Sequence, residues 1–256
     1  MTTLVDRAIA VLRSNHDTLA ALVSTLSEEQ LKGRSGAAEW TVADALSHLG
    51  SGAEINRKPI AIAAGEQVDA EDNQAIWDRW NALPPVDQAA EFVKHDAAYV
   101  DTVEALDAEQ RELRVDLGFM PEPVPLLVAL GMRVSEVANH GWDVRVGVDP
   151  SATVDAASAE LLIELLQGPL AFLLGFSGKA DQVEQEVRLA IPGGGIKIAD
   201  AVTVTDTFDE PTATFEGPAE AVARLLTGRL GADHAAGVTV TGNVTLDDLR
   251  KVFPGY

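Results

Sequence analysis

The sequence predicts an α+β protein: a four-helix bundle over residues 1–150, followed by a small α+β domain with an antiparallel sheet over 151–256. Three observations carry this. Apolar residues recur at helical spacing through most of the first 147 positions. The connections between those stretches are modest, as in a bundle. Past residue 175 the pattern changes to β-branched residues in period-2 alternation, interleaved with short amphipathic helices.

Residues 3–27 place Leu4, Ala8, Leu12, Leu19, Leu22, Val23 and Leu26 on one helical stripe. A second helix starts at Trp40-Thr41-Val42-Ala43-Asp44, where Thr41 suits the N-cap and Asp44 the third helical position, a capping box with Asp in place of Glu. Ala45, Leu46 and Leu49 make its buried stripe, with His48 beside it. A third helical region, 73–106, is broken by Pro84-Pro85, which end one segment and open the next. A fourth, about 126–147, carries Glu136, His140 and Asp143, and Asp149-Pro150 closes the bundle. One more helix is expected over 155–175. The segments EQEVRLAI, AVTVTDTF, PTATFEG and GVTVTG then read as strands, and PAEAVARLLTGRL and LDDLRKVF as helices. The stretches 50–75 and 110–126 are expected to be loops that shape a pocket, although GEQVDAEDN and DLGFMPEPVP carry no substrate signature.

A chain of 256 residues favours a main domain with a smaller companion, and 46% hydrophobic residues suffice for a packed core. Forty acidic against nineteen basic residues give a formal charge of −21, which argues against a nucleic-acid partner and fits a solubilising acidic surface. There is no cysteine, so disulfides, thiolate metal sites and a cysteine nucleophile are excluded together. The apolar run LLIELLQGPLAFLLGF is interrupted by Glu164, Gln167, Gly168 and Pro169, and no membrane span is expected. The start, MTTLVDRAIAVLRSNHD, reads as an amphipathic helix rather than a signal peptide, and a cytoplasmic protein is expected, a monomer or weak homodimer.

The candidate chemistry lies in Glu136 and His140, four residues apart, with His48 far upstream. On a helix such a pair shares one face. Two histidines and a glutamate with a fourth position open are the ligand set of a catalytic zinc or another divalent metal. The other histidines stand elsewhere: His16 in RSNHD, His95 on a charged helix face, His234 in the loop GADHAAG, all expected to be structural or exposed. Asp143 falls on the same face as Glu136 and His140, and suits either a hydrogen bond that orients a ligand histidine or a pairing with Arg145 or solvent. Asp44 is explained as a cap, and Trp40 and Trp142 as packing. On residue types alone, a metal trio and ordinary core histidines both remain open.

WTVADALSHLG, followed about ninety residues later by EVANHGWDVR and then by TATFEGPAEAVARLLTGRL and VTVTGNVTLDDLRKVFPG, resembles the mycothiol-dependent maleylpyruvate isomerase family, among the DinB-like metal-binding bundles. The resemblance runs through nearly the whole chain in order. It implies that zinc is held by His48, Glu136 and His140. It also implies that an arginine of the C-terminal domain serves the active site. Arg229 in LLTGR is the best match and Arg224 the alternative, for catalysis or for binding the cofactor. The C-terminal domain faintly resembles sterol-carrier folds, and mycothiol use implies an actinobacterial source.

The expected function follows from the open ligand position and the absent cysteine. A coordinated thiol loses its proton, whereas a free one, of pKa about 8.5, is mostly neutral at pH 7. The expected thiol is mycothiol, and the expected substrate a small electrophile. Addition, rotation and elimination at a cis double bond would give isomerisation; attack without return would give S-transfer. Arg229 would hold a carboxylate or polar groups of the cofactor. One alternative is a zinc hydrolase using metal-bound water, with Asp143 as the base. Another is a non-catalytic protein that binds an apolar ligand in the C-terminal domain.

Overall fold

The computed structural model describes residues 2–68, 71–207 and 209–255, which divide into two compact units, Met1–Ala152 and Thr153–Tyr256. Each has its own core. The arrangement is the α+β one, helices first and a sheet domain after.

In the first unit, α1 (Leu4–Val23) begins at a Thr3 capping box, and a single turn, α2 (Glu28–Leu31), follows. Helix α3 (Val42–Ala63) starts as expected: the Thr41 hydroxyl accepts from the Asp44 amide, and the Asp44 carboxylate accepts from the Thr41 amide. It then runs through Pro59 to Ala63, so half of the expected 50–75 loop is helix. The apolar residues Ala53, Ile60 and Ala61 are buried there, and this burial offsets the one backbone bond the proline removes. Pro84-Pro85 separate α4 (Asn73–Asn81) from α5 (Pro85–Glu104), with Pro85 at the first helical position. Within the expected 110–126 loop, β1 (Arg114–Val115) and β2 (Val124–Pro125) form a two-stranded antiparallel ribbon. Helix α6 (Leu126–Val146) closes the bundle.

The four long helices pack in a ring, α1 against α5 and α6, and α3 against the same two. Leu12, Leu46, Leu49, Phe92, Tyr99 and Leu130 fill the centre. Trp80 of α4 packs against Gly50 of α3, where a Cβ would stand 2.2 Å from the indole. Only glycine lets the two helices approach so closely.

In the second unit the expected helix over 155–175 ends early. Helix α7 (Ala156–Gln167) stops before Gly168-Pro169, and the stretch Ala171–Ser177, a 3-10 turn continued by α8 (Leu174–Ser177), resumes at 85° to it. No single helix among the described residues is long and apolar enough to cross a membrane. The sheet comprises β3 (Val187–Ile191), β4 (Gly194–Ile198), β5 (Val202–Thr205), β6 (Ala213–Glu216) and β7 (Thr239–Gly242) in the order β5-β4-β3-β6-β7. All neighbouring pairs are antiparallel except β3 and β6, which run parallel in the register Leu189↔Ala213. Strand β4, GGIKI, is an addition to the four expected strands; it follows β3 through Pro192-Gly193, where φ of +80° at Gly193 fits the third position of a type II turn. Alternate residues of β3, β5 and β6 are buried, including Val187, Leu189, Val204 and Phe215. Helices α9 (Ala219–Leu226) and α10 (Leu246–Val252) fall where the amphipathic pattern puts them, and α9 packs on α7.

Candidate metal centre

His48 projects from α3, and Glu136 and His140 from the neighbouring α6. Each of the three offers one donor atom, and all three atoms lie within 4.8 Å of one another. His48 Nε2 stands 2.7 Å from Glu136 Oε2, and His140 Nε2 stands 3.8 Å from the same oxygen. The imidazole centroids are 4.6 Å apart and nearly edge to face. The cluster is open on one side, since the His48 side chain is 40% exposed and that of Glu136 34%, whereas His140 is nearly covered.

Burial works against a charge on Glu136. The hydrogen bond from His48, then the fields of His140, His48 and Arg133, outweigh it and hold the carboxyl down to about 2. The carboxylate can only accept, so His48 Nε2 carries the proton between them. On His140 the other ring nitrogen is engaged: Nδ1 lies 2.9 Å from Oδ2 of Asp143, which is completely buried. Nδ1–H donates to that carboxylate, and Nε2 turns toward Glu136. Asp143 thus holds the His140 imidazole through its Nδ1.

The segment between α2 and α3 roofs the cluster. Gly36 N–H donates to the backbone oxygen of Asp143 (2.8 Å), and Ser35 N–H to that of Trp40 (2.9 Å). A Cβ at Gly36 would stand 2.6 Å from Val146 and 2.9 Å from both Asp143 Oδ1 and Trp142, so glycine permits this close approach. Glu39, with φ of 66°, turns the chain so that Trp40 reaches the imidazoles. The indole stacks on His140 at 5.4 Å and meets His48 at 5.2 Å. Trp142 is the buried packing residue the sequence suggested, its Nε1 donating to the Ala152 carbonyl, whereas Trp40 is a wall of the cluster.

The remaining singled-out residues have other partners and places. His95 faces Glu54 and Glu91, and His234 closes a 3-10 turn. His16 is buried with its Nδ1 2.9 Å from Asp96. In the second unit Arg224 is buried, gripping Glu220 through two nitrogens at 2.7 and 2.9 Å and the His234 carbonyl at 2.7 Å. Arg229 is half-buried just past α9, and its Nη1 donates to the Thr227 carbonyl. Sequence reasoning passed over Arg133, which lies one turn before Glu136 on α6 and is buried against Asp96. An arginine among the apolar residues of GMRVSEV was the signal for it.

Two imidazoles and a carboxylate that already converge fit a divalent metal such as zinc, with a coordination position left for another ligand. Fold and cluster together define a helical-bundle protein with a two-histidine, one-glutamate donor set, joined to an α+β domain. A profile described as the mycothiol maleylpyruvate isomerase N-terminal domain matches residues 12–145, more than half of the sequence, and the chain belongs to that family. An uncharacterized protein of Mycobacterium tuberculosis, the same in two strains, is 27% identical over 163 residues, which cover 61% of this chain and 74% of that one. The crystal structure of the mycothiol-dependent maleylpyruvate isomerase is similar in fold over 100% of both chains, with a TM-score of 0.64 at 17% identity, and a mutant of that enzyme matches equally.

Proposed function

We propose that this protein is a metal- and mycothiol-dependent enzyme that activates the thiol for attack on a small electrophile, as an S-transferase or a cis–trans isomerase. The observation that carries the reading is the convergence of His48, Glu136 and His140 donors within 4.8 Å beside an accessible face. Membership in the mycothiol maleylpyruvate isomerase family supports the choice of thiol.

His48, Glu136 and His140 would hold zinc or a similar divalent ion. When bound, the metal supplies a positive charge that lowers the pKa of a thiol at its open position. Everything else falls to the protein. Asp143 holds the His140 tautomer through Nδ1–H. The low pKa of Glu136 keeps a carboxylate donor ready at any physiological pH. Trp40 covers one flank of both imidazoles and keeps water from it. With no cysteine in the chain, the nucleophilic sulfur comes from the low-molecular-weight thiol. Arg229 is proposed to hold a carboxylate of the substrate or polar groups of the thiol. Arg224, engaged with Glu220, suits that role less. Asp143, with no solvent exposure, suits the holding of His140 better than the role of a base in the hydrolase reading.

Metal analysis of the purified protein, followed by thermal shift with mycothiol, glutathione and bacillithiol, tests the proposal. A stoichiometric divalent metal and a shift with mycothiol above the other thiols are expected. Turnover of ester or amide substrates without any thiol would instead point to the hydrolase. Metal-free protein carrying a co-purified lipid would point to the binding role.

A further inference from the structure

We infer that Arg133 is a positioning residue for the His48–Glu136–His140 cluster, clamping α6 to α3 in the one register at which the three donors meet. The inference rests on the metal-site reading above and adds to it a part of the bundle that does not touch the cluster. Arg133 lies on α6 one turn before Glu136 and is 2% exposed. Its Nη2 donates to the carbonyl of Leu49, the residue after His48 on α3, at 2.9 Å. The same nitrogen pairs with Asp96 Oδ1 of α5 at 2.6 Å, and the other oxygen of Asp96 lies 2.9 Å from His16 Nδ1 of α1. The guanidinium also stands over the Tyr99 ring, 5.5 Å from its centroid. One buried charge cluster therefore ties all four long helices together at the level of the cluster.

The cluster is poorly explained as a device for stability alone. Buried ion pairs often contribute little once desolvation is counted, and apolar replacements are frequently as stable. Here Arg133 Nε and the Tyr99 hydroxyl are buried without a hydrogen-bond partner among the described residues. Each such orphan loses its bonds to water on burial and gains none in return. What a buried ionic contact does well is to fix register, because any slip leaves a charge unpaired. Register is what the donors need: a slip of one residue moves a helix by about 1.5 Å and turns it by about 100°. Such a displacement separates atoms that now lie within 4.8 Å. Gly52, one turn after His48, fits the same account. A Cβ there would stand 3.3 Å from Arg133 Nη1, so the glycine leaves the guanidinium its place against α3.

Cobalt(II), whose visible absorption reports coordination geometry, is the probe. The variants are R133M/D96N, which removes both charges so that neither is stranded, and the conservative R133K. The double variant is expected to keep its helical circular dichroism and a cooperative melt. It should bind cobalt about tenfold or more weakly, with an altered visible band. R133K should recover part of the affinity and of the wild-type band. A folded double variant with wild-type affinity and spectrum overturns the inference while leaving the metal site intact. If neither variant folds, the cluster serves stability and the inference falls. If the wild type takes up no cobalt, the metal reading falls too, and that outcome is distinct from the others.

Discussion

Asp143 accepts a hydrogen bond from His140 Nδ1 at 2.9 Å from a position with no solvent exposure, three residues further along the same helix. Spacing within α6 thus delivers both a donor atom and the group that aims it. A carboxylate so enclosed holds the imidazole through Nδ1 and leaves Nε2 to the cluster.

Replacing Asp143 with Asn keeps the shape and removes the charge. Metal affinity of D143N, measured by competition with a chromophoric chelator, is expected to fall by about 10–100-fold, while the fold is retained. An unchanged affinity would show that His140 needs no such partner.

His48 is the one donor contributed by α3. H48A should therefore emerge from purification with little bound metal by plasma emission analysis, and without thiol-dependent turnover.

The acid limb of the stability curve follows from two carboxylates. In Asp96 burial opposes ionisation, but the His16 hydrogen bond and the charge of Arg133 prevail and lower its pKa; Glu136 is lowered to about 2. In the unfolded chain such groups titrate near 4, so the folded state binds fewer protons. The stabilisation is fully present above about pH 4–5 and is lost as pH falls toward the folded values. Urea midpoints of the metal-free protein should drop between about pH 4.5 and 2, and E136Q should flatten that drop.

The roof over the cluster offers a steric test. In G36A the new methyl group meets Val146 at 2.6 Å and Asp143 and Trp142 at 2.9 Å. Overpacking of this kind costs about 1–3 kcal/mol. The melting temperature should fall, and metal affinity with it, because Asp143 is among the groups displaced. A melting curve equal to the wild type would mean that the 33–41 segment simply swings away.

Local chemistry was the legible part of this fold. The Thr41–Asp44 capping box joins residues three apart and formed as its sequence implied. The Pro84-Pro85 break and the i,i+4 placement of Glu136 and His140 are equally local. Contacts between distant segments were harder. Asp96 reads in VKHDAAY as one more charge on a polar face, and only the packing of α5 against α1 and α3 turns it inward to His16 and Arg133. Pro59 suggests a helix end, yet tertiary burial carries α3 past it. The glycines of GGIKI hide a strand whose signal lay in the preceding Pro192-Gly193 turn. The parallel pairing of β3 with β6 depends on a crossover that no local pattern encodes.

The cap at Thr41 has a metrical consequence. The N-cap of helix α3, Thr41, stands seven residues before His48, just under two full turns. The first turn therefore acts as a protractor: where the coil becomes helix decides the compass bearing at which the imidazole leaves the axis. Inserting one alanine between Asp44 and Ser47 would keep every side chain of the trio and every cap hydrogen bond. It would also rotate either the imidazole or the cap by about 100°, so the bundle could satisfy one of them and not both.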